Sequence, residues 1–171
     1  KHELHLDRGV ISALGWAEAH QSEPIIRQLL ADEHSERRAL AIRASAVRRS
    51  DFHRTLDEAQ WRDDARTEAA MLRGLGELGF SDRIEDCTRG TKSDDPSVRF
   101  CAAWSAALLG HRSTLALLRE IAESGDRHAP SALQVVTRAM PTADALAWHR
   151  EVSANPETLR LASQLAGHLG D

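Results

Sequence analysis

Five times in this chain a hydroxyl-bearing residue follows an Ala-rich or Arg-rich run and opens a second amphipathic segment: Ser22, Ser50, Ser81, Ser113 and Thr142. Successive members lie 28 to 32 residues apart, and no other feature restricts the fold as much. A period of that length belongs to helical-pair repeats, in which one repeat cannot bury its own apolar face and stacks on its neighbours to do so. The predicted fold is therefore an all-α solenoid. Composition agrees: only 4% of the 171 residues are aromatic and there is no tyrosine. Ala and Leu supply most of the apolar side chains, which favours close-packed short helices over strands.

The period places one domain of about five repeats near 7–34, 35–62, 63–94, 95–128 and 129–155, with a sixth cut short over 156–171. First helices share a register in which Ala39, Leu40, Ile42 and Ala46 match Ala69, Ala70, Leu72, Leu75 and Leu78. The same stripe returns at Val98, Cys101, Ala102 and Trp104. Leu78-Gly79 and Leu109-Gly110 stand at the ends of two such helices, where glycine is the expected terminator. Second helices align on Ile26, Leu56, Ile84, Leu115 and Leu146. Three residues on come Leu29, Ala59, Cys87, Leu118 and His149, giving an i, i+3 core stripe. The five hydroxyl residues are then expected to be N-caps of these second helices.

Asp95-Pro96-Ser97-Val98-Arg99, ahead of an Ala-rich helix, resembles the opening of a HEAT repeat, and Leu78-Gly79 and Leu109-Gly110 resemble the ends of that helix. More narrowly, Val98-Arg-Phe-Cys-Ala-Ala-Trp-Ser-Ala-Ala-Leu-Leu-Gly110 is similar to the hallmark stretch of a family of uncharacterised bacterial HEAT-like proteins. The resemblance implies a right-handed superhelix of helix pairs whose second helices line a concave surface for protein partners, and it implies no enzymatic activity. It also implies that Asp95 and Arg99 tie adjacent loops together. Arg37 and Arg66 lack the preceding valine, so such ties are expected only in the fourth repeat.

Charge narrows the function classes. With a net charge of -4 the chain lacks the basic field of a general nucleic-acid binder. The run Arg37, Arg38, Arg43, Arg48, Arg49 and Arg54 is interspersed with carboxylates and reads as an ion-paired surface. A HEAT-like DNA glycosylase is thus an alternative of low weight. A metal-dependent HEAT-like enzyme is another, but of the nine histidines only His2-Glu3 has the His-Glu order such sites use, and the others share no column. No metal or other cofactor is expected. Cys87 and Cys101 lack metal-ligand spacing and read as buried, reduced thiols. Neither a membrane span nor a signal peptide is recognisable, so a cytoplasmic location is expected. The chain opens on Lys1 and stops just after Gly170, which points to a piece of a longer protein.

The expected function is that of a non-enzymatic scaffold binding a protein partner on the concave face of its second helices. Two groups of residues are candidates for contact. Asp57, Glu58, Glu85 and Asp86 stand at equivalent positions of consecutive second helices and suit a basic partner segment. Leu117 and Trp148 lie two residues past the core column, about 200 degrees around the helix, and are expected to face outward as apolar anchors.

Overall fold

Every regular element among the described residues is helical. The computed structural model describes residues 9–49, 52, 55 and 61–170, with the side chain of Glu157 left aside. The helices are α1 (9–14), α2 (Ala19–Leu30), α3 (Ser35–Arg48), α4 (Ala65–Leu78), α5 (Ile84–Gly90), α6 (Pro96–Leu108), α7 (Leu115–Ser124), α8 (Ala129–Ala139), α9 (Thr142–Ser153) and α10 (Leu159–Gly170). Short 3-10 turns precede α5, α7 and α10. Contacts divide the chain into two lobes, one ending at Leu109 and the other beginning at Gly110.

In the N-terminal lobe the first helices α3, α4 and α6 pack side by side, α2 lies on α3, and α5 lies on α6. Small residues set how near they come. Gly76 of α4 faces Ser105 of α6, and a Cβ there would stand 2.6 Å from the Ser105 Cα. This close approach lets the buried Ser105 hydroxyl donate to the Leu72 carbonyl at 2.7 Å, so that buried polar group is satisfied. Ile42, Met71, Leu72, Leu75 and Val98 are fully buried in the same lobe, together with Phe52. The shared register of the first helices is therefore the register of the core.

The hydroxyl residues do not cap the second helices. Ser22 lies inside α2 and its Oγ donates to the Glu18 carbonyl at 3.0 Å. Ser81 and Ser113 belong to 3-10 turns, and Thr142 is the first residue of α9; no side-chain cap bond forms at any of these starts. Ser50 lies outside the described residues. The physical reason is the geometry of the turn. Gly79 ends α4 in the left-handed region at φ 77°, and the chain enters a 3-10 turn in which Arg83 N–H donates to the Phe80 carbonyl. Thr114 N–H does the same to His111 ahead of α7. Backbone bonds thus occupy amides that a serine side chain would otherwise accept from.

Aspartates stand instead at the start of the first helices: Asp64 and Asp95 cap α4 and α6, while Asp32 and Asp126 take amides of the turns that lead into α3 and α8. Asp32 accepts from the amide of His34 at 2.8 Å, and Asp64 from that of Thr67 at 2.9 Å. Asp95 accepts from Ser97 and Val98 at 2.8 and 3.0 Å, and Asp126 from His128 and Ala129 at 2.6 and 3.1 Å. A carboxylate at that end also meets the positive pole of the helix. Arg38 joins two of these turns: it donates to the Asp32 and Glu33 carbonyls and, at 2.5 Å, to the Asp64 carboxylate. The loop-to-loop tie is therefore present outside the fourth repeat, contrary to the expectation. A guanidinium on the first turn of α3 needs only a carboxylate in reach, not a preceding valine. Within the fourth repeat Arg99 donates to the Ser93 carbonyl of its own turn.

In the C-terminal lobe α7 packs on α8, α9 packs on α10, and α8 meets α10. The core of α9 is Ala145, Trp148 and Val152, at i, i+3 and i+7. Leu146, expected in the core column, is 44% exposed. The fifth repeat thus enters its second helix one residue earlier than the column assumed. Ala145, not Leu146, is the partner of Leu115 and Ile84, and Trp148 takes the place held by Leu118 and Cys87. Ile26 of the column is buried and Ile84 and Leu115 are half-buried, while Leu56 and Ala59 lie outside the described residues.

Candidate interaction surface

Trp148 shows how this shift changes the expected site. At 1% exposure it is a core residue and not an outward anchor. Its indole N–H, which needs an acceptor once buried, donates to Glu123 Oε1 of α7 at 2.7 Å. Arg119 lies over the ring at 5.4 Å and bridges Glu123 and Glu151 at 2.8 and 2.6 Å. Burial opposes the Arg119 charge, but the hydrogen bonds to Glu123 and Glu151 outweigh it and hold the guanidinium above its ordinary pKa. The arrangement fastens α7 to α9, and Leu117 beside it is half-buried on α7.

The acidic group separates in a similar way. Glu85 is exposed on α5, whereas Asp86 is 8% exposed and enclosed by guanidinium groups. Arg62 and Arg83 donate to its oxygens at 2.6 and 2.7 Å, and Arg89 donates as well. Burial raises the pKa of such a carboxyl, but the bonds from Arg83, Arg62 and Arg89 prevail and hold it below the usual carboxylate range. Asp86 is therefore an internal tie with its oxygens already occupied, which corrects its place among the surface contacts. Asp57 and Glu58 lie outside the described residues.

Reactive chemistry has little footing in the described residues. Cys87 on α5 and Cys101 on α6 are free and buried, and burial pushes both thiols up to about 11. At neutral pH neither is a thiolate nucleophile. Among the described residues, no three of His, Cys, Asp and Glu converge as ligands would. No helix among them is long and apolar enough to cross a membrane.

Asp95 is singled out by the sequence, whereas its counterparts Asp32, Asp64 and Asp126 are not, although all four share a regular spacing. Asp32, Asp64, Asp95 and Asp126 follow one another at 32, 31 and 31 residues, a tighter period than that of the hydroxyls. Each stands two or three residues ahead of the amides it takes. That spacing was open to inspection in the sequence.

The comparisons with known proteins agree with this geometry. The model of the HEAT repeats family matches residues 52–135, from the second repeat into the fifth. No curated protein and no solved structure gives a significant match. Within that stretch α4 and α6 pack side by side, each opened by an aspartate cap and followed by a glycine of positive φ. The chain is a HEAT-like repeat protein.

Proposed function

We propose that the chain is a non-enzymatic scaffold which binds a protein partner through the exposed positions of its second helices. The observation that carries this reading is that core positions of these helices keep one column while the positions between them change chemistry. Gln28 and Glu85 are exposed polar residues on α2 and α5, whereas Leu117 on α7 is apolar and half-buried. Repeat proteins vary such positions to fit partners because the fold does not depend on them. Asp57 and Glu58 belong to the same proposal by their place in the sequence.

The test is capture of a partner by the intact protein, followed by Glu85→Lys in the N-terminal lobe and Leu117→Asp in the C-terminal lobe. Each variant is expected to weaken capture about tenfold, the loss of about 1.4 kcal/mol that one good contact supplies. Thermal unfolding of Glu85→Lys, at an exposed position, should stay within a few degrees of the parent. Capture that neither variant changes, or turnover of a bound small molecule, would overturn the scaffold reading.

A further inference from the structure

A second surface lies on the first helices, distinct from the one just described. In the N-terminal lobe a groove of about 550 Å3 runs between α3 and α4. Its two sides repeat one pattern: Glu36, Ala39 and Arg43 on α3 stand thirty residues before Arg66, Ala69 and Arg73 on α4. Residues i, i+3 and i+7 share one helix face, so the arginines end the groove on one side while the alanines form its floor. Helices in contact lie about 10 Å apart, which sets the distance between the two arginine-bearing columns.

The guanidinium groups of this groove are in different states. Arg66 is paired with Glu36 at 3.0 Å. Arg73 holds Glu77 at 2.7 Å and lies over the Trp104 ring at 5.3 Å, which fixes its plane. Arg43 is exposed and makes no hydrogen bond or ion pair among the described residues. Counting Glu77, which holds Arg73, three guanidinium groups stand against two carboxylates at the groove, in a chain whose net charge is -4. A local excess of the opposite sign marks where a carboxylate-bearing partner is favoured, and the planar fork of arginine is matched to that group.

We propose that this groove docks an acidic peptide segment, with carboxylates on Arg43 and Arg73 and an apolar side chain against the floor made by Ala39, Ala69 and Ala70. A nucleic acid fits less well. Its evenly charged backbone would meet Glu36 and Glu77 beside the arginines, and the apolar floor offers phosphate nothing.

The experiment uses the whole chain and a short labelled peptide alternating glutamate with leucine, followed by fluorescence anisotropy. Saturable binding is expected at low salt, falling as salt is raised toward about 0.3 M. Arg43→Glu should weaken it about tenfold or more, and Arg43→Gln by less. Arg43 is exposed and makes no hydrogen bond or ion pair among the described residues, so both variants should unfold at the parental temperature. The same peptide with lysine for glutamate should not bind. Leu117→Asp and Glu85→Lys should leave the peptide affinity unchanged, which separates this groove from the second-helix surface. Absence of binding, equal binding of the lysine peptide, indifference to Arg43→Glu, or displacement of the peptide by single-stranded DNA would each overturn the proposal.

Discussion

In the N-terminal lobe Asp86 sits among three arginines on a helix of seven residues; in the C-terminal lobe Trp148 sits beneath one arginine on a helix of twelve. Both fasten a second helix to its surroundings. The first does so with charge taken partly out of water, which succeeds only because every carboxylate oxygen is met by a guanidinium. The second does so with apolar area, and needs one acceptor for the indole N–H. Column by column the contrast is plainer: Cys87, Leu118 and Trp148 occupy one position, and the buried volume grows along the chain. A short helix with a thiol at its core has little apolar surface to offer, so ions supply the link there. A longer helix with an indole has enough.

Three substitutions break this contrast at its strongest point first. Trp148→Ala should cost about 3–5 kcal/mol, since it empties a fully buried indole site and removes the indole N–H bond to Glu123. Urea unfolding followed by circular dichroism reads this directly; a change below about 1 kcal/mol would mean the ring is not a core element. Asp86→Asn comes next, at about 1–2 kcal/mol near neutral pH, because charge-assisted bonds are weakened rather than a cavity opened. Its signature is in acid. The folded pKa of Asp86 is lowered, so its contribution is whole above the unfolded value of about 4 and is lost as pH falls through the folded one. The variant should therefore approach the parent's stability as pH drops, and a gap independent of pH would contradict the ion-pair account. Arg119→Met is the mildest, at about 0.5–1 kcal/mol, since the guanidinium is partly solvated and the methionine stem still covers the ring. Stability in high salt should separate the lobes further, with the Asp86 tie weakening more than the Trp148 packing.

Much of the fold was legible because stacking leaves a periodic trace. The first-helix register, the helix ends at Gly79 and Leu109-Gly110 and the Asp95-Pro96 start each have a strong local cause: burial on both flanks, a positive φ at each glycine, a fixed proline φ. The second helices were harder to read. Alanine-rich segments such as Ala143-Asp-Ala-Leu-Ala-Trp148 permit two registers, and the larger Leu146 competes with Ala145 for the core column. The choice was decidable, because 145, 148 and 152 are all apolar whereas 146 is followed by His149 and Ser153. Outward direction in turn rests on register, so the error moved Trp148 from core to surface. Asp86 was misplaced for another reason. Two of its donors, Arg83 and Arg89, stand three residues to either side, but the third, Arg62, lies twenty-four positions earlier in the preceding repeat, and no local pattern announces that partner.

The aspartates that open the first helices also make the repeats interchangeable. Arg38 reaches forward to whichever carboxylate begins the next repeat, and at present that is Asp64. Removal of residues 64–94 would bring Asp95, with the same capping chemistry, to the place that Asp64 leaves. A chain built this way can lengthen or shorten by whole repeats during evolution without inventing a new junction, since an aspartate recurs ahead of each of these first helices.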